Sequence, residues 1–204
     1  TFYYKRKDWM ILSFYMFARA IVKGILTPVY RYEVIGTENI PSEGGVLLCS
    51  NHIDNLDPPT VGVTCPRPIS FMAKAELFKA PFLKTVLPKL ETFPVKRGMA
   101  DREALRQGLK ILKEGKVLGL FPEGTRSKDG KLGKGMAGVG FFALRSKAAV
   151  VPCAVIGPYK RFARLKVVYG PPIQMDELRE RKASAEEVTE VIMKSIGELI
   201  EKYQ

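Results

Sequence analysis

Apolar residues along this chain follow two rhythms. Short, nearly unbroken apolar runs end in glycine, proline or acidic turns: Gly45–Cys49, Ile69–Ala73, Val117–Phe121, Val150–Gly157 and Leu165–Tyr169. Runs of about four to eight such residues predict buried strands. Arg31–Gly36 and Thr92–Val95 predict two shorter ones. A second rhythm has the helical period. Leu105, Leu109 and Leu112 recur between an N-capping Asp101 and a terminating Gly115, which predicts a helix over 102–114. Ser184-Ala185-Glu186-Glu187 reads as a capping box that opens a helix with Val188, Val191, Ile192, Ile196 and Leu199 on one face. Residues 139–147 predict another helix, and Glu76–Phe78 and Pro81–Leu87 two short apolar ones separated by proline. Val61-Gly62-Val63 fits either a strand or a short helix. Strands alternating with helices predict an α/β fold: one domain, a mixed and largely parallel central sheet, helices on both faces.

The N-terminal segment stands apart. Trp9–Ala18 is apolar except for Ser13, Arg19 interrupts it, and apolar residues resume around Lys23. A spanning helix needs about 20 apolar residues, and this run is shorter. It predicts amphipathic or hydrophobic helices over 1–30, bent near Gly24, lying in one leaflet with aromatics buried and Arg19 and Lys23 at the headgroups. Each such cation is worth about 1 kcal/mol near an anionic surface. The alternative is a core helix. The α/β domain then occupies 31–204.

Composition narrows the chemistry. The 204 residues are 46% hydrophobic and 26% charged, with a net charge of +12. That is a globular chain with an anionic partner: nucleic acid, an anionic bilayer or a phosphorylated substrate. Cys49, Cys65 and Cys153 have no metal spacing and only one histidine accompanies them, so no metal site is expected. They read as small buried hydrophobes in a reducing compartment. Residues 133–138 match G-x-G-x-x-G, but a charged loop precedes them where a dinucleotide site needs a strand. Their Lys134 lies near a helix N-terminus that could take an anion. The basic, aromatic stretch 159–164 is of a kind that RNA-binding proteins also use.

Two strand ends carry the reactive groups. His52, the single histidine, follows the run ending at Cys49, and Asp57 lies five residues on, before two prolines. Strand ends are where α/β proteins place chemistry. The pair reads as a general base and its orienting acid, or as a surface histidine in a polar turn. Cys49 lies inside the strand, where apolar surroundings disfavour a thiolate nucleophile. After the strand at 117–121, Glu123, Thr125 and Arg126 could bind a hydroxylated phosphate ester, or form an ordinary turn with an internal ion pair. Lys96 and Arg97 end the strand at 92–95 as a phosphate clamp or as solvated surface.

Four blocks, in order, resemble one family. Asn51-His52 with Asp57 resembles its N-H-x-x-x-x-D block, and Phe93–Arg97 its strand ending in arginine, with Lys96 where many members carry an acid. Phe121–Ser127 is similar letter for letter to F-P-E-G-T-R-S, and Val151–Val155 resembles V-P-V-A-I with Cys153 for valine. The family is the glycerolipid acyltransferases, in the form of bacterial members that acylate 1-acyl-glycerol 3-phosphate. The resemblance covers residues 32–172. It implies transfer of a fatty acyl group from a thioester to the 2-hydroxyl of lysophosphatidic acid. His52 would be the base and Asp57 its orienter, while Asp54 serves the turn. Lys96, Arg97, Glu123, Thr125 and Arg126 would bind the glycerol phosphate, and Gly124 would let the backbone approach it. Asn51, Val151 and Pro152 would shape the pocket, and the apolar residues at 77–83 would line either the core or an acyl chain. No cofactor is implied. The acyl donor would be acyl-coenzyme A or acyl-acyl carrier protein, and the location the cytoplasmic leaflet of the cell membrane, held monotopically. Within the same chemistry, glycerol 3-phosphate or another lysophospholipid are alternative acceptors. Outside enzymes, the charge alone would suit a basic lipid- or nucleic-acid-binding protein, against which the intact first and third blocks weigh.

Overall fold

The computed structural model describes residues 6–96, 101–127 and 129–204. Its helices are α1 (Arg6–Val29), α2 (Asp57–Thr64), α3 (Pro81–Lys89), α4 (Arg102–Lys113), α5 (Gly138–Arg145), α6 (Asp176–Glu180) and α7 (Ala185–Tyr203). Its strands are β1 (Arg31–Ile35), β2 (Val46–Ser50), β3 (Ile69–Lys74), β4 (Phe93–Val95), β5 (Val117–Leu120), β6 (Ala149–Ile156) and β7 (Arg164–Tyr169). All seven strands join one sheet in the order β1-β7-β6-β2-β5-β3-β4. Every neighbouring pair is parallel except β6 and β7. Those two need no crossover, so a short loop at 157–163 joins them.

The sheet is covered on both faces, which is why its central strands carry apolar residues at successive positions. Leu47 and Cys49 of β2, with Leu118 and Val150, pack under α4, α5 and α7 through Ile111, Phe142 and Ile192. Val46 and Leu48, with Val117 and Val151, face the other way and pack against Val61 and Cys65 at α2. The alternation follows from the two-residue period of a strand.

Asp101 caps α4 as expected, accepting the Ala104 N–H at 3.1 Å. Ser184 likewise caps α7, accepting from the Glu187 N–H at 3.1 Å. The reciprocal half of that capping box is absent, because the Glu187 carboxylate pairs with Arg181 instead. Val61-Gly62-Val63 resolves as helix: Pro58 and Pro59 occupy the first turn of α2, where a missing N–H costs nothing. The short α6 carries too few apolar residues to leave a periodic trace in the sequence.

One continuous helix, α1, replaces the expected bent segments and runs through Gly24 for 24 residues. It is long and apolar enough to cross a membrane by length and composition alone. Tyr15 and Leu26 on one stripe are buried against the domain, whereas Phe17 and Ile25 on the opposite side are 64% and 61% exposed. Arg19 does not face outward with Lys23. Its guanidinium turns inward and donates to the carbonyls of Val63 and Cys65 at the end of α2. Those carbonyls have no helical partner and carry the negative end of the helix dipole, so a cation there is favoured. Tyr15, one turn earlier, accepts the Ile69 N–H at 3.1 Å.

Candidate active site

The parallel pairing of β2 and β5 sets Cys49 beside Leu120. Two chain segments therefore leave the sheet side by side at its carboxyl edge: the turn carrying His52 and the turn 122–127. This edge is where open α/β sheets hold ligands.

Asn51 makes the exit from β2. Its buried side-chain amide donates to the Val155 carbonyl at 2.9 Å and accepts the Val155 N–H at 2.7 Å. The side chain thus continues the ladder that the β2 backbone abandons after the Ser50–Cys153 pairing, and frees the next residue to turn out. His52 is then clamped through its backbone. Its N–H donates to Glu123 Oε1 at 2.9 Å and its carbonyl accepts the Ser127 N–H at 2.8 Å. Glu123 Oε2 accepts the Gly133 N–H at 2.9 Å. Both oxygens of this buried carboxylate are therefore spent on backbone amides that tie three loop segments together.

The imidazole is oriented by Asp57, which is 0% exposed. Asp57 Oδ2 accepts the backbone N–H groups of Ile53 at 2.6 Å and Asp54 at 2.8 Å, and lies 2.7 Å from His52 Nδ1. Its Oδ1 accepts the Tyr159 hydroxyl at 2.7 Å. A buried carboxylate is tolerable only with its lone pairs occupied, and these donors occupy them. With an ionised acceptor at Nδ1, the proton of neutral His52 sits there and Nε2 carries the free lone pair. Asp54 serves the turn, its Oδ1 accepting the Leu56 N–H at 2.9 Å.

The His52 ring, 13% exposed, stacks on Phe121 with centroids 4.2 Å apart, and Phe121 stacks on Phe71 at 5.9 Å. Phe71 in turn lines an apolar cavity of about 290 Å³ between α1, α2, β3 and α3, whose walls include Tyr15, Val22, Val63 and Leu87. An open polar cavity of about 400 Å³ lies along the 123–134 loops, lined by Glu123, Thr125, Arg126, Asp129, Lys131 and Lys134 among others. His52 lines neither cavity, but its backbone is bonded to Glu123 and Ser127 at the wall of the polar one. Of the residues at 77–83, Leu77 lines the apolar cavity, whereas Phe82 is 75% exposed.

Some expected residues sit elsewhere. Lys96 is exposed beyond β4 and lines neither cavity. Three strand spacings, about 14 Å, separate its strand from β2. Arg97 lies outside the described residues. Gly124 is favoured by its left-handed backbone, φ +66°, and an added Cβ would press on the Met136 sulfur; the close neighbour of its backbone is this side chain. Val151 and Pro152 pair with Leu48 and Cys49 within the sheet, below the level of Asn51, and line neither cavity.

Tyr159, Phe121 and Phe71 enter the site although no role was assigned to them from sequence. Phe121 carries a signal as the first letter of its block; Tyr159 lies in the basic, aromatic stretch 159–164, whose sequence points to no partner within the site. Burial pushes the Tyr159 phenol up, and the charge of Asp57 adds to the shift, so it remains a donor. Burial also pushes up the thiols of Cys49 and Cys153, which leaves neither as a nucleophile at neutral pH. Among the described residues, no group of three His, Cys, Asp or Glu side chains could hold a metal ion.

A histidine on the turn after a central strand, with a buried acid partner and an arginine-bearing turn beside it, suits acyl transfer, and the chain belongs to the acyltransferase family, whose model matches residues 31–156. It is 32% identical to the 1-acyl-sn-glycerol-3-phosphate acyltransferase of Bacillus subtilis over 92% of this chain and 98% of that protein. The enzyme of the same name from Borreliella burgdorferi is 31% identical over 69% of this chain and 57% of its own length. The fold is that of the crystal structure of the 1-acyl-sn-glycerophosphate acyltransferase PlsC from Thermotoga maritima. That match has a TM-score of 0.73 at 21% identity and covers 95% of this chain and 80% of the other.

Proposed function

We propose that this chain transfers a fatty acyl group from a thioester to the 2-hydroxyl of 1-acyl-glycerol 3-phosphate, forming phosphatidic acid. The observation that carries this reading is His52 oriented by Asp57, its backbone held by Glu123 and Ser127 at the wall of the polar cavity and its ring stacked through Phe121 on Phe71 at the wall of the apolar one. The relatives named above supply the acceptor.

The residues allow the following sequence. The acceptor hydroxyl oxygen attacks the thioester carbonyl carbon while His52 Nε2 takes its proton. The tetrahedral adduct collapses, the carbon–sulfur bond breaks, and the imidazolium returns the proton to the departing thiolate. Asp57 stabilises the imidazolium throughout, because its charge is held 2.7 Å from Nδ1. Arg126 and Thr125 meet the phosphate, with Lys131 and Lys134 adding positive charge to the same cavity. Glu123, Gly124 and Asn51 set the two turns through the backbone. The apolar cavity takes an acyl chain, and the Phe71–Phe121 stack leads from its wall to the imidazole.

The exposed stripe of Phe17, Ile21 and Ile25, together with Phe82, enters one leaflet of an anionic membrane. The net charge of +12 favours that surface and the anionic thioester carriers, coenzyme A and acyl carrier protein. Incubating purified protein with each donor and with lysophosphatidic acid, glycerol 3-phosphate or a headgroup-bearing lysophospholipid tests the assignment. Phosphatidic acid should form from lysophosphatidic acid at least about tenfold faster than product from the other acceptors. A preference for either alternative acceptor would overturn the choice of substrate.

A further inference from the structure

We infer that Tyr159 is a positioning residue of the acyl-transfer site: its hydroxyl holds Asp57 Oδ1, and so fixes both the aim and the strength of the acid that serves His52. The inference rests on the His52–Asp57 reading above and names a group outside all four sequence blocks.

Asp57 begins α2, and a carboxylate at a helix start ordinarily finds donors in the first-turn N–H groups. Here the next two residues are Pro58 and Pro59, which have none. Backbone donors reach only Oδ2, from Ile53 and Asp54. Among the described residues, the one hydrogen bond to Oδ1 comes from Tyr159 at 2.7 Å. Asp57 is 0% exposed, so without that hydroxyl Oδ1 would be a buried lone-pair site with no donor. Tyr159 is itself held in place. Tyr30 meets its ring edge-on with centroids 5.5 Å apart. Its loop is tied to the end of α1 by the Phe162 N–H to Val29 carbonyl bond at 2.7 Å and to the start of β1 by the Arg31 N–H to Ala163 carbonyl bond at 3.1 Å.

The consequence is electrostatic. Donation to Oδ1 withdraws negative charge from the carboxylate. Removing it concentrates charge at Oδ2 and binds the imidazolium form of His52 more tightly, which makes His52 harder to deprotonate. Since the free base is the active form, activity lost on acidification would then be lost at higher pH. The other titratable groups around the pair are Cys153 on β6, Tyr32 on β1, Tyr30 after α1, and Asp54 and Glu123 on the two turns. None of the five donates a hydrogen bond to Oδ1 from its side chain.

The test compares Tyr159→Phe with Tyr32→Phe in the full chain. Tyr32 belongs to the same cluster, but its hydroxyl meets Thr60 Oγ1 at 3.3 Å and not Asp57. Tyr159→Phe should move the acid limb of the kcat profile up by about half a pH unit or more, with KM nearly unchanged. Tyr32→Phe should leave that limb in place. Should Tyr159→Phe fail to fold, 3-fluorotyrosine at position 159 keeps the packing and strengthens the donor, and the limb should then move down. An unmoved limb in a folded Tyr159→Phe protein, or in the fluorotyrosine protein, overturns the inference. If His52→Ala is inactive while these limbs stay put, the base assignment stands and only the role of Tyr159 falls. If His52→Ala is active, the underlying reading falls first.

Discussion

Replacing Asp57 with asparagine removes one charge and little volume from a fully buried position. The fold should accept it. The asparagine oxygen can still accept the N–H groups of Ile53 and Asp54, now 2.6 and 2.8 Å from Oδ2. The amide nitrogen would then face Tyr159, whose hydroxyl can rotate to accept. What changes is the partner of His52. In the native site a full negative charge sits 2.7 Å from Nδ1, and it stabilises the imidazolium that forms as the acceptor hydroxyl loses its proton. A hydrogen bond to a charged group is worth about 1.5–3 kcal/mol net and a neutral one about 0.5–1.5 kcal/mol. Direct attraction between unit charges near 4 Å adds up to about 4 kcal/mol at an effective dielectric constant of 20. Since Asp57 is screened by its other donors, we expect a barrier increase of about 2–4 kcal/mol. This corresponds to a fall in kcat of roughly 30- to 1,000-fold. The assay is thiol release from the acyl donor with lysophosphatidic acid in mixed micelles, alongside thermal melting. A well-folded Asp57→Asn protein with kcat within threefold of the parent would refute the role given to this carboxylate.

Two further outcomes follow from α1. Arg19→Met should destabilise the protein by about 2–4 kcal/mol, because the Val63 and Cys65 carbonyls lose charged donors and the end of α2 loses its cation; a melting temperature unchanged within error would show the contact to be dispensable. Phe17→Asp should weaken binding to anionic vesicles at least about tenfold, since a buried phenylalanine is worth about 1.5–3 kcal/mol. The measurement is vesicle co-sedimentation, and unaltered partitioning would show that this stripe stays out of the lipid.

Much of this architecture was readable from the chain because local pattern and tertiary role coincide. The buried strands appear as apolar runs, α4 and α7 as capped periodic stretches, and the central pair His52 and Asp57 as a histidine at a strand end with an acid five residues on. The shortfalls share a cause: contacts between residues distant in sequence. Asn51 and Val155 are 104 positions apart, and Tyr159 and Asp57 are 102 apart, so no window along the chain contains either pair. The structural part played by Glu123 is hidden from the sequence because an acid in a turn ordinarily faces solvent. Only the parallel pairing of β2 with β5 sets the two turns close enough for its carboxylate to reach the His52 and Gly133 amides. Arg19 looked like a headgroup cation because a helical period gives the spacing of a face but not its neighbour. The carbonyls it meets belong to α2, a segment whose own sequence left strand and helix open.

The central claim is that His52 is the base for acyl transfer, and the most direct measurement is the turnover of His52→Ala with lysophosphatidic acid and an acyl thioester. A positioned base contributes about 10²–10⁴-fold. The variant should therefore lose at least about a hundredfold in kcat while its melting temperature and vesicle binding stay near those of the parent. Turnover within tenfold of the parent, in a protein that still folds and binds membrane, would contradict the account.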